Sequence, residues 1–383
     1  MKRPNLAVRE WVYLSATVTI AVMKRRLMFI HSLLLVTASL FFAGVASAAK
    51  VTDLYQARVP VVDQSPAERS RALRAGLGEV LVKVTGNSAV LSVPEVNQAL
   101  TRAESFITEF GYVSYRQPGS SEETGLALSI HYAEASVDRL VRQQHLQIWP
   151  ADRPELLVWV VVDSPSGGRQ FVSADEQPEL LSLLSSAMRA RGAPLLVPLL
   201  DLADRAALKE ENVWNFDAGS LAAAAERYSS DTWMAVRLYQ SSTGQWRGAR
   251  LLKTADGDTL SSVVANNQAE LIQELVDEAV DRIASRYAFV PQSTTQQLTL
   301  NIDQVDNFQA YSAVTAYLES LELVRKLMVD YVDGDRLGLR LAVEGDVGLL
   351  LDTLRRDNRL AEQAAGNLTE TAPGAYLFHW RTR

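Results

Sequence analysis

The 383-residue chain has no cysteine and only four histidines. Without a thiol there is no disulfide, no thiolate nucleophile and no acceptor for a bacterial lipid anchor. His131, His145 and His379 lie far apart and none has a partner at ligand spacing, so the sequence offers no zinc site. There is no Gly-x-Ser-x-Gly elbow. With Gly 20 and Pro 13 the chain is neither collagenous nor low in complexity. It also lacks long runs of one charge, repeats and heptads, which excludes charged tails, solenoids and coiled coils as the main architecture. What remains is a folding composition, 48% apolar and 22% charged, long enough for two or three domains.

The first 48 residues read as addressing. Met23-Lys24-Arg25-Arg26 forms a basic start, Leu27 to Val45 an uncharged apolar stretch, and Ala46-Ser47-Ala48 a small-x-small cleavage signal. The expectation is a secretory signal peptide with its true start at Met23 and cleavage after Ala48, giving a periplasmic protein. The alternative is an inner-membrane anchor formed by an uncleaved Leu27 to Ala48, a stretch long enough to span. Removing the leader's six basic residues and one acidic residue from the chain's 38 and 45 leaves a net charge of −12. That sign argues against nucleic-acid binding, which draws its affinity from Lys and Arg displacing counterions. No stable membrane insertion is expected after cleavage.

Three α/β blocks follow, with boundaries at 49–152, 153–291 and 296–383. In the first, Ser65-Pro66-Ala67-Glu68 is a capping box with Pro at the first helical position, and Gly86-Asn87 can stop the helix it opens. Gly76-Leu77-Gly78 lies inside that helix and reads as close packing rather than as a dinucleotide fingerprint. Strands at Tyr112 to Arg116 and Leu126 to Tyr132 suggest a hairpin. In the second block, Leu156 to Val162 is an unbroken apolar run suited to a central strand buried on both faces. Strands at Thr232 to Tyr239, Gln245 to Lys253 and Thr259 to Ala265 follow, joined by hairpin signals, and an amphipathic helix closes the block. The third block alternates as βαββαβ, the order of a ferredoxin-like sandwich. The fold class is thus α/β and α+β: a mixed-sheet α/β middle domain followed by a ferredoxin-like one.

Val59-Pro60-Val61, the helix carrying Arg69, Arg71, Ala72 and Leu73, and the run Val80-Leu81-Val82-Lys83-Val84-Thr85-Gly86-Asn87 resemble the opening of a family of exported Gram-negative proteins. The pattern continues through Trp149-Pro150, Arg153-Pro154 and Leu157-Val158-Trp159. That family is known only as a domain of unknown function, family two thousand and sixty-six, and it brings no catalytic residues. The element order of the middle block also resembles the small periplasmic α/β domain of the Tol translocation protein, of the outer-membrane activators of peptidoglycan synthases and of the curli secretion lipoprotein. These resemblances imply an envelope role without naming one.

Two segments stand out as sites. Asp163-Ser164-Pro165-Ser166-Gly167-Gly168-Arg169 leaves the central strand at the edge where open α/β sheets bind ligands, so Asp163, Ser164, Ser166, Gly167, Gly168 and Arg169 form a candidate ligand loop. Lys209 to Asp217 sets Val213, Trp214 and Phe216 among charges, the composition of a contact surface with aromatic anchors. No catalytic residue, metal site or cofactor is expected. Asp330 to Asp335 lacks the spacing of a calcium loop, and the strand Arg336 to Leu341 has no stacking ring for RNA. The expectation is a non-catalytic module that binds an envelope protein or a cell-wall component. The alternative is a carboxylate-dependent enzyme acting on an envelope polymer, since Asp and Glu are the abundant acid–base groups.

Overall fold

Ser65 opens the first long helix as the sequence dictates: its side chain accepts from the Glu68 N–H at 3.3 Å, Pro66 starts the first turn, and Gly86 ends the helix at φ +68°. Glu68 turns back not to Ser65 but to the Val62 N–H, at 3.2 Å, and to Arg71. In this computed structural model the described residues are 49–120, 123–165, 167–292, 295–357, 359–363 and 375–381; the expected leader and Ser166 lie outside them. No described helix is long and apolar enough to cross a membrane.

The first block contains β1 (Gln56–Val61), α1 (Pro66–Thr85), α2 (Pro94–Leu100), β2 (Ile107–Arg116), β3 (Glu123–Tyr132) and α3 (Glu134–Gln143). The strands form an antiparallel sheet in the order β1-β3-β2. Pro60 sits on the edge strand, where a missing N–H breaks no internal ladder. The apolar side of α1 buries Leu73, Leu77, Val80, Leu81 and Val84. Close approach requires Gly76, since a Cβ there would lie 2.7 Å from the Tyr132 hydroxyl.

The middle block runs β4 (Leu156–Ser164), β5 (Gly168–Phe171), α4 (Pro178–Ala190), β6 (Leu195–Leu196), α5 (Leu202–Ala207), α6 (Glu210–Trp214), α7 (Ala218–Glu226), β7 (Trp233–Gln240), β8 (Trp246–Thr254), β9 (Gly257–Ala265) and α8 (Gln268–Tyr287). The sheet order is β9-β8-β7-β4-β5, with β6 also paired to β4. β4 is parallel to both β6 and β7 and antiparallel to β5. Its apolar run is buried on both faces, as a central strand requires. Helices α4 and α8 cover one face around Val158, Val160 and Leu238; α5 to α7 cover part of the other around Trp159, Val161 and Trp233.

The third block contains β10 (Gln296–Asp303), α9 (Phe308–Glu319), β11 (Val324–Asp333), β12 (Arg336–Val343), α10 (Val347–Asp357), β13 (Leu360–Glu362) and β14 (Ala375–Trp380). The order β11-β12-β10-β14, with β13 added at the β14 edge, is the ferredoxin-like arrangement. The ring of Tyr331 lies over Gly338 of the neighbouring strand, and its hydroxyl donates to Asn301 Oδ1 at 2.8 Å.

The described residues pack as one compact unit, and the apolar cores of the first and third blocks are continuous. Ion pairs join the blocks. Arg142 donates twice to Glu344 at 2.8 Å, and Arg356 pairs with Asp152 at 3.0 Å. Arg153 is fully buried and stacks on Trp149 at 3.8 Å. Its donors end on the carbonyls of Lys83, Trp149, Pro150, Arg191 and Gly192, at 2.7 to 3.4 Å. Burial pushes the Arg153 guanidinium down to about 9, which still leaves it charged at neutral pH. Arg191 binds Asp277, Asp281 and the Gly86 carbonyl, so α4, α8 and the end of α1 meet at one point.

Candidate functional site

The two segments singled out in the sequence come together in space. β4 and β5 pair through Asp163↔Arg169 and Ser164↔Gly168, so the expected ligand loop is a tight hairpin. Gly168 adopts φ +64°, and the Gly167 N–H donates to Ser164 Oγ at 3.1 Å. That bond engages the Gly167 N–H within the hairpin itself. Asp163 and Arg169 remain as side chains projecting from the hairpin.

The second segment is a one-turn helix, α6, where a connection was expected. Lys209 N–H is accepted by Asn212 Oδ1 at 3.0 Å, and the Asn215 N–H returns to the Glu211 carbonyl. Asp217 caps α7 through the Ser220 N–H and hydroxyl, which hold its carboxyl below the usual range. Between these caps Phe216 is forced to φ +54°. Val213 is fully buried and packs beneath α6 with Trp159 and Val161, so it belongs to the core and not to a contact surface. Trp214 and Phe216 are half-buried at the margin of the same cluster.

Around these rings two arginines are stacked. The Arg169 guanidinium lies 4.4 Å from the centroid of Trp214, while that of Arg237 lies 5.8 Å from Trp214 and 4.8 Å from Phe216. The result is a cation–aromatic ladder in the order Arg169, Trp214, Arg237, Phe216. Tyr239 adds a third ring, 6.2 Å from Trp214 and tilted by 54°. Arg169 is neutralised by an ion pair with Glu211 and approaches Asp163 at 3.8 Å. Arg237 donates to the Trp214 carbonyl at 2.8 Å and has no carboxylate partner among the described residues.

Strand register explains the placement. Arg169 is paired with Asp163, Asp163 with Tyr239, Tyr239 with Arg247, and Arg247 with Val264. Directly opposed residues share a face, so these five side chains stand in one row across the sheet. The row lies at the carboxyl ends of β4 and β7, which are parallel, and the chain leaves β4 for β6 on one side and β7 on the other. This is the switch-point position at which open α/β sheets take ligands. α5 to α7 stop short of the row's far end, where Tyr239 is 38% and Val264 50% exposed.

Ion pairs and hydrogen bonds tie the covering layer together. Asp204 accepts from the Leu200 N–H and pairs with Arg227, which also grips Asp201 at 2.7 Å. The Tyr228 hydroxyl donates to Asp204, and burial, together with that carboxylate, pushes it up to about 12. Sequence reasoning missed Arg237 and Tyr239, which lie in an ordinary strand pattern; only the register of β7 against β4 puts them beside Trp214.

Residues 48–150 match the model of a domain of unknown function, DUF8605. The match spans the first block and carries a different number from the family that the sequence resembles. No curated protein matches the chain. One solved structure, titled "Crystal structure of uncharacterized protein", is 11% identical, with 35% of this chain and 88% of that chain covered at a TM-score of 0.15. The ladder lies outside the matched residues.

Proposed function

We propose that the protein is an exported, non-catalytic binding module of the cell envelope, and that it docks its partner on the Arg169–Trp214–Arg237–Phe216 ladder. The observation that carries this reading is Arg237: a cation over two rings, with a backbone carbonyl as its hydrogen-bond acceptor and no carboxylate partner among the described residues. Fixing the guanidinium in advance lowers the ordering cost of binding. The partner's recognised segment supplies a carboxylate to Arg237 and a flat or apolar side chain to Trp214 and Tyr239. An envelope protein with an acidic segment fits this chemistry, as does a cell-wall component bearing carboxylates. The leader pattern supports export, and the element order of the middle block supports an envelope role by analogy alone.

The test places a photo-reactive amino acid at position 239 of the full chain in living cells, with position 95 in α2 as the control. A specific cross-linked partner is expected from 239 and is lost on Arg237→Gln. The same products from both positions, or none from 239, would overturn the reading.

A further inference from the structure

β9 ends the middle sheet, and among the described residues no strand pairs with its outer edge. Natural edge strands are usually blunted by bulges, prolines or lysines, or kept short. β9 has none of these: it is nine residues long, pairs with β8 in unbroken register from Gly257 to Ala265, and reads Gly-Asp-Thr-Leu-Ser-Ser-Val-Val-Ala. Its single charge, Asp258, is neutralised by Lys253 at 3.0 Å. On its open face Leu260 is 68% exposed and Val264 50%.

We propose that β9 is a homodimerisation edge, pairing antiparallel with β9 of a second copy about a two-fold axis at Ser262. The argument is self-complementarity. In that register Leu260 opposes Val264 of the other copy, twice by symmetry, Ser262 opposes itself, and Asp258 opposes Asn266. A register centred on Ser261 would instead set Asp258 against Val264 and leave Leu260 against a serine. An isologous contact needs such self-matching, and a closed two-fold leaves no free edge to propagate.

Charge on the neighbouring helix agrees. α8 covers β9, and Glu278 accepts a hydrogen bond from Ser261, one residue from the proposed axis, while pairing with Arg250 at 3.2 Å. With strands about 4.8 Å apart, the two α8 helices would lie side by side at roughly 10 Å, a normal packing distance. The two-fold then brings Glu274, one turn before Glu278, opposite Arg282, one turn after it, in the other copy. Both are exposed, and neither has an ion pair among the described residues.

The absence of cysteine makes the test clean. Ser262→Cys places two thiols on the axis at about 4.5–5.5 Å between Cα atoms, within disulfide reach. Asp258→Cys places them about 27 Å apart at 3.4 Å per residue. In the full chain under mild oxidation, Ser262→Cys is expected to form a covalent dimer and Asp258→Cys to remain uncross-linked. Sedimentation should show a dimer for the unaltered chain, one that Arg282→Glu weakens about tenfold and the double variant Glu274→Arg/Arg282→Glu restores. A chain that sediments as a monomer at every concentration overturns the proposal, as does equal cross-linking from both cysteines. So does a monomer whose β9 edge binds a strand of a different protein.

Discussion

The guanidinium of Arg169, on a hairpin of the central strand, lies 4.4 Å over the indole of Trp214, on a one-turn helix far along the chain. That contact joins two segments with no sequence relationship, and Arg237 approaches the same indole at 5.8 Å. An exposed cation–π pair contributes ~0.5–1 kcal/mol and a desolvated one about 2. The ladder thus organises a surface without dominating the stability of the fold. Trp214 also packs on the core beneath it, so its truncation mixes folding with binding. Arg237, held by one backbone bond and two rings, separates the two better.

Arg153 should be the most sensitive charged residue. Arg153→Met removes the donor to five carbonyls in the interior, and unsatisfied buried acceptors cost about 1–3 kcal/mol each before relaxation. A loss of roughly 3 kcal/mol or more is expected in urea denaturation, with a smaller loss for Arg153→Lys, which keeps three donors. A change below about 0.5 kcal/mol, the range of surface substitutions, would show that the carbonyls find other partners.

Gly76→Ala should destabilise by about 1–3 kcal/mol through overpacking, because its methyl group would meet the Tyr132 hydroxyl. Tyr132→Phe removes that oxygen, along with its bond to the Leu73 carbonyl. The two changes share one contact, so their costs should not add. Strict additivity in thermal denaturation would contradict the geometry.

Asp138 gives a pH signature. Burial is the main cause that raises its carboxyl above the ordinary 3.8, against the hydrogen bond from Tyr55, which lowers it. A raised carboxyl binds its proton more tightly in the folded state, so its contribution favours folding below pH 3.8 and is lost as pH rises through the folded value. Asp138→Asn keeps an acceptor for Tyr55 and removes the titrating group. The variant should lose less stability than the parent as pH rises above 3.8, read by urea denaturation; an equal pH slope would contradict the assignment. Asp217, held low by Ser220, acts in the opposite sense, its contribution being lost as pH falls below 3.8.

Much of the fold is legible wherever a local signal and a long-range one agree. Ser65, Pro66 and Gly86 bound α1 because caps act within one turn, and the alternation of Leu298, Leu300 and Ile302 marks β10 because one face is buried. Short elements escape: α5 and α6 have too few turns to show a period, although Asp201, which caps α5 through the Ala203 and Asp204 N–H groups, was a usable sign. Arg153 is illegible for a different reason. A buried arginine satisfied by carbonyls has no charged partner in the sequence to betray it. The site was half visible, since composition marks Trp214, whereas Arg237 and Tyr239 join it through strand register alone.

Leu157, fully buried in β4, supplies the folding control. Leu157→Ala should cost about 2–5 kcal/mol through the cavity it leaves, and its effect on binding should follow only from the unfolded fraction.

The most direct measurement pairs the melting temperature of Arg237→Gln with the yield of cross-linked partner from position 239. The account predicts a nearly unchanged melting temperature, since a half-buried side chain with one hydrogen bond contributes only about 0.5–1.5 kcal/mol, together with loss of the cross-link. An undiminished cross-link from a normally folded Arg237→Gln protein would contradict it.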